Sequence, residues 1–241
     1  TPSDWPRPVS SPRWAAKVSA YYFADLLYEA GLPVEMLQVV TGEPREIANE
    51  LLTHPYVDLV TFTGGVSIGK HIASKAGYRR IVLELGGNDP LIVMDDADLD
   101  KASDLAVQGS YKNSGQRCTA VKRMLVHEKV LAEFTERVVA KTKAWRYGDP
   151  MHKANDMGTV IDEAAARHFE KVVNEAIAQG ARLLTGNVRD GALYSPTVLD
   201  NVRPEMTVVR GCAEFCVNGQ STAGASRPVR KHNEHQETRR T

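Results

Sequence analysis

Residues 57 to 87, VDLVTFTGGVSIGKHIASKAGYRRIVLELGG, decide the fold class of this chain. VDLVTFTGG and RRIVLELGG are apolar, β-rich runs, each closed by a glycine pair, and SIGKHIASKAG between them carries helical spacing. A strand, a helix and a second strand in such quick succession predict a βαβ unit with a parallel sheet. The same alternation extends outward. Upstream, AYYFADLLYEAGLP reads as a helix stopped by Gly31 and Pro33, MLQVVTG as a short strand, and PREIANELLTHP as a helix closed by Pro55. Downstream, PLIVM is a strand and DADLDKASDLAVQGSYKN a helix opened by acidic residues. RMLVH is extended, and EKVLAEFTERVVAKTKAW and DEAAARHFEKVVNEAIAQG are amphipathic helices.

The expected class is therefore α/β, with a domain boundary between residues 85 and 90. Residues 1–18, proline-rich and without apolar period, read as an irregular arm, and 19–86 as one α/β unit. Residues 87–210 read as a second α/β unit, and 211–241 as a disordered tail. In a chain of 241 residues, 42% hydrophobic and 25% charged residues are those of an ordinary globular protein. A formal net charge of zero predicts no pull toward nucleic acid or an acidic membrane. No run approaches the ~20 apolar residues of a membrane span. Three cysteines, Cys118, Cys212 and Cys216, suit a reducing cytoplasm better than a disulfide framework.

Three phrases carry chemistry. TFTGGVSIG places Gly64, Gly65 and Gly69 where a strand gives way to a helix, and glycines there let a backbone approach an anion at the helix start. Their spacing is not the dinucleotide fingerprint, so a turn needing positive φ explains them about as well. Lys70 in the first turn reads as a solvated side chain. Glu84 closes an apolar strand just before Gly86 and Gly87, which points to a carboxylate that is paired, neutral or facing a cleft. Cys118, in NSGQRCTA, has Arg117 and Lys122 nearby, and cations favour the reactive thiolate. A lone cysteine is otherwise a small buried hydrophobe. His127 reads as a surface imidazole. In the tail, Cys212, Cys216, His232 and His235 have near-zinc spacing, with one interval outside the usual range and little apolar packing around it.

Taken together, FTGGVSIG, LELGGNDP and GQRCTA, in this order and spacing, resemble the aldehyde dehydrogenase superfamily, from about Ser19 to Arg210. The resemblance implies the C-terminal half of an NAD(P)-binding domain followed by the first part of a catalytic domain. It implies oxidation of an aldehyde to its carboxylate with NAD or NADP, NAD being favoured. Cys118 would be the nucleophile, Glu84 the base for hydrolysis of the thioester, and Gly64, Gly65 and Gly69 part of the cofactor's phosphate loop. The stretches around Glu84 and Cys118 are most similar to members that oxidise phosphonoacetaldehyde during phosphonate breakdown, with Arg117 suited to grip the anionic end. A structural ion pair is the alternative for Arg117.

Members are longer and commonly homo-oligomeric. The oxyanion asparagine and the ribose-binding lysine and glutamate belong to segments this sequence does not show, and that lysine's role is not transferred to Lys17. GCAEFCVNG stands where a glutamate-glutamate-phenylalanine-glycine-proline phrase is expected, and neither Glu214 nor Phe215 restores it. Both ends are expected to reflect a shifted frame or a truncated gene, which sequencing of the locus tests. Missing strands leave sheet edges and apolar faces open. The isolated chain is accordingly expected to be poorly soluble and essentially inactive, or to act as a non-catalytic interaction fragment; a soluble monomer with ordinary turnover would refute this.

Overall fold

The computed structural model describes residues 12–210 and 219–221. Helix α1 spans Pro12–Glu29, so residues 12–18 are helical rather than part of an irregular arm. Pro12 stands in the first turn, where its missing N–H would find no partner in any case, so proline does not forbid a helix there. MLQVVTG forms no strand. Val34–Met36 make one short 3-10 turn and the chain then runs irregularly to α2, Pro44–Thr53. A strand needs a neighbour for its backbone groups, and here two tyrosines from α1 hold the segment instead, one on its backbone and one on a side chain. Tyr28 donates to the Leu37 carbonyl at 2.6 Å, and the Tyr21 hydroxyl meets Thr41 Oγ1 at 2.9 Å.

The expected βαβ unit is present. Strand β1, Leu59–Gly64, runs parallel to β2, Arg80–Leu85, in register from Leu59↔Arg80 to Gly64↔Leu85, and α3, Val66–Lys75, is the crossover. Arg79 ties the unit to α2, donating to the carbonyls of Thr53, His54 and Val57 at 2.8 to 2.9 Å. A guanidinium at a helix C-terminus also meets the negative end of its dipole. Val18, Tyr22, Phe23, Met36, Leu51, Ile81 and Val82 are exposed, which are the open apolar faces anticipated above.

The second unit is built on five strands in the order β3 (Asp89–Val93), β4 (Val121–Val126), β9 (Gly219–Ser221), β8 (Val198–Asp200) and β5 (Arg182–Thr185). All neighbours are parallel except β8 and β5. Residues 219–221 therefore do not belong to a structureless tail. Their strand closes the gap between β4 and β8, a pairing made by backbone groups that no apolar pattern announces. The tail's zinc-like residues lie outside the described ones, and no metal-binding cluster occurs among the latter.

Helices α4, Leu99–Tyr111, and α5, Leu131–Ala144, cover the sheet. Asp98 caps α4 by accepting from the N–H groups of Asp100 and Lys101. Their apolar stripes meet in a core of Val93, Ala106, Val107, Tyr111, Met124, Phe134 and Val138. Tyr111 is fully buried, donates to the Thr197 carbonyl at 3.2 Å and accepts from Thr142, and burial pushes its hydroxyl far above the usual phenolic range. A second core forms where α6, Glu163–Ala178, sets Phe169, Val172, Val173 and Ala176 against Leu199, Met206 and Val208. Beside it lies a hairpin of β6, Arg189–Asp190, and β7, Leu193–Tyr194. No helix among the described residues is long and apolar enough to cross a membrane.

Candidate active site

The carboxyl ends of β1 and β2 converge on two turns. At the first, Gly64 ends β1 and Gly65 precedes α3, and no side chain caps the helix. The leading N–H groups of α3 thus remain open to an anion. Neither Gly64 nor Gly65 has positive φ, so the turn explanation does not hold for them. A Cβ on Gly69 would lie 2.4 Å from both methyls of Leu85, so this glycine lets α3 close onto β2. A Cβ on Gly64 would lie 2.5 Å from the Phe62 ring. Lys70 is exposed, as expected.

At the second turn, Glu84 sits opposite Thr63 one residue before the end of β2, and it is exposed. Gly86 then takes φ +58, a left-handed value that glycine adopts without cost, and donates to the Gly64 carbonyl at 3.1 Å. Gly87 follows, and a Cβ on it would lie 2.0 Å from the carbonyl oxygen of Cys118. Backbone thus stacks on backbone at the nucleophile candidate. Three Cα-to-Cα steps separate Glu84 from Gly87, a reach of at most ~11 Å.

Cys118 lies in a tightly braced loop. Asn113 and Ser114 adopt φ of +55 and +54 directly after α4. Non-glycine residues in that region cost on the order of 1 kcal/mol each, and such strain persists only where surroundings enforce it. Here Ser114 Oγ is within 3.1 Å of the carbonyls of Gly158 and Thr159, and the Gln116 side chain accepts from the Ile161 N–H at 2.7 Å. The thiol is free and exposed, so it is not a buried hydrophobe. Its backbone N–H has no acceptor among the described residues.

Arg117 points back to α4, where Nη2 donates to the Gly109 carbonyl at 2.8 Å. Its Nε is enclosed without a partner, and no carboxylate among the described residues pairs with the guanidinium. His127 is a local cap, accepting from the Lys129 N–H at 3.3 Å. The turn that follows Glu84 and the Cys118 loop are therefore joined at Gly87, and Gly86 ties the same turn to Gly64. Sequence reasoning passed over the brace itself. Lys122, noted only for its charge, is buried and donates to the Gly87 carbonyl at 2.7 Å. Arg123 donates twice to the Asn88 carbonyl, and Asn88 donates to that of Val209 at 2.9 Å. A lysine within the apolar run AVKRMLV was the available signal.

A partial α/β scaffold with an exposed thiol beside a glycine turn defines a class, and comparison with known proteins names it. Residues 9–212 match the model of the aldehyde dehydrogenase family, and the chain belongs to that family. It is 42% identical over 202 residues to the 3-sulfolactaldehyde dehydrogenase of Priestia aryabhattai, covering 84% of this chain and 42% of that protein. Among solved structures, it is similar to the NAD-dependent aldehyde dehydrogenase of Sinorhizobium meliloti, with TM-score 0.82 and 36% identity over 85% of this chain and 42% of the other. The NADP-dependent glyceraldehyde-3-phosphate dehydrogenase of Bacillus halodurans C-125, complexed with NADP, gives TM-score 0.77 and 40% identity over 82% of this chain and 41% of the other. The chain thus spans less than half the length of these relatives.

Proposed function

We propose that this chain carries the nucleophile and the general base of an NAD(P)-dependent aldehyde oxidation, acting on a short aldehyde with an anionic tail. The observation that supports the reading is the stacking of Gly87 on Cys118, which joins the loop of an exposed thiol to the turn that follows Glu84 and the end of β2. The Cys118 thiolate attacks the aldehyde carbon, forming a C–S bond, and the oxygen becomes an oxyanion facing the free N–H of Cys118. The uncapped start of α3, with Gly64 and Gly65, fits the cofactor's phosphates, and Gly69 lets that helix close onto β2. When bound, NAD or NADP supplies the acceptor for the hydride that the thiohemiacetal gives up. Glu84 then takes a proton from water as the water oxygen attacks the resulting thioester, and sulfur leaves as thiolate. NAD is the expected cofactor, and comparison of the two nucleotides tests that choice.

The substrate reading rests on Arg117. A guanidinium with no carboxylate partner, on the residue next to the nucleophile in sequence, suits a phosphonate or sulfonate. Because Nε is enclosed and Nη2 already donates to the Gly109 carbonyl, the grip comes from the remaining terminal N–H groups. Phosphonoacetaldehyde is the proposed substrate, and the sulfonated aldehyde in the name of the Priestia relative has the same kind of tail. Covalent capture is testable on the chain itself, with aldehydes carrying ¹³C at the carbonyl and their thiohemiacetal signal followed by NMR. Arg117→Ala is expected to weaken capture of phosphonoacetaldehyde by at least about tenfold and that of acetaldehyde hardly at all. Equal effects on both would remove the anionic-tail reading. Absence of any Cys118 adduct would remove the nucleophile.

A further inference from the structure

The β3–β4 ladder contains an irregularity that the chemistry above does not use. Its register passes from Asp89↔Val121 directly to Pro90↔Arg123, which leaves Lys122 as the extra residue of a bulge. Pro90 lacks an N–H and cannot complete a regular ladder there. A bulge re-aims the side chain it carries. Lys122 is turned inward, only 2% exposed, and its ammonium donates to the Gly87 carbonyl at 2.7 Å. No carboxylate among the described residues pairs with it. Burying a cation against one neutral carbonyl is costly, and an apolar residue would satisfy the core more cheaply. The carbonyl it holds belongs to the residue stacked on Cys118.

From this arrangement we infer that Lys122 is a positioning residue for the nucleophile, resting on the assignment of Cys118 made above. Its ammonium locks the turn that follows Glu84 against the Cys118 loop. Arg123, the next residue of β4, donates twice to the following carbonyl, that of Asn88, so adjacent cations hold both halves of the turn. Lys122 needs no contact with substrate for this role.

Iodoacetamide alkylation, read cysteine by cysteine through peptide mass spectrometry, tests the inference without requiring turnover. In the parent chain, Cys118 is expected to react faster than in denaturant; if it does not, the nucleophile assignment falls and this inference with it. Lys122→Met keeps the length of the side chain and removes the donor that holds the Gly87 carbonyl, and is expected to slow Cys118 by about tenfold as the loop loses its brace. Lys122→Arg restores donor and charge and is expected to return the rate to within about threefold of the parent. A fast parent with an equally fast Lys122→Met would overturn the role of Lys122 alone. A loss of rate that arginine does not rescue would also overturn it, leaving a packing role. Should both variants fail to fold, acylation of the native chain by acetic anhydride decides. Lys122 is expected to resist while Lys112 and Lys129 react, and acylation of Lys122 at their rate would overturn the buried clamp.

Discussion

Cys118→Ser is expected to leave the fold intact and to abolish aldehyde capture, a loss on the order of 10³-fold or more. The thiol is exposed and has no hydrogen-bond partner among the described residues, so exchanging sulfur for oxygen disturbs no packing. The stability change should stay within about 0.5 kcal/mol. A serine hydroxyl is hardly ionised near neutral pH, and no described residue within hydrogen-bond reach stands ready to activate it. The measurement is the thiohemiacetal signal with ¹³C-labelled phosphonoacetaldehyde, alongside thermal unfolding of both chains. A serine variant that still captures aldehyde would place the reacting group elsewhere. A variant that loses capture only because it unfolds would show a fallen Tm.

Gly87→Ala is expected to damage both structure and reactivity. The added Cβ would stand 2.0 Å from the Cys118 oxygen, 2.8 Å from its carbonyl carbon and 3.1 Å from its Cα. All three are backbone atoms, so no rotamer change relieves the clash, and one of the two turns must move. Both are braced, the Gly87 side by Lys122 and the Cys118 side by Ser114 and Gln116. The expected cost is about 2–5 kcal/mol, seen as a fall in Tm of roughly 5–15 °C. Cys118 alkylation should slow in whatever folded chain remains. Gly77→Ala is the control, because Gly77 has φ +59 with open space around it. That substitution should cost only about 1 kcal/mol and leave Cys118 reactivity unchanged. Equal effects from the two would mean that the close approach at Gly87 carries no weight.

Where apolar period and stop signals coincide over ten or more residues, the elements lie where the sequence puts them. α3, α4, α5 and α6 are such cases, and Asp98 and Asp162 cap α4 and α6 as their position before an apolar run suggests. β1 and β2 were readable because both are continuous apolar runs closed by glycines. Strands β5 to β8 have two to four residues each, too few for a period of two to register. β9, Gly219–Ser221, has no apolar residue at all and exists only because β4 and β8 offer it free backbone groups. MLQVVTG shows the converse, an apolar run with no neighbour to pair with.

The site divides in the same way. By itself the sequence determined the α/β class, the βαβ crossover and the choice of Cys118, Glu84, Gly64, Gly65 and Gly69 as the residues to examine, because these depend on residue type and short-range spacing. Only the tertiary structure decided that Gly87 touches the backbone of Cys118, that Gly69 is small to admit Leu85, that Arg117 has no carboxylate partner, and that Lys122 is buried on the Gly87 carbonyl. Each of these is a contact between residues 16 to 35 positions apart, or, for a missing ion pair, the lack of one. Such contacts depend on how elements distant in the sequence pack together, which neither periodicity nor residue type encodes locally.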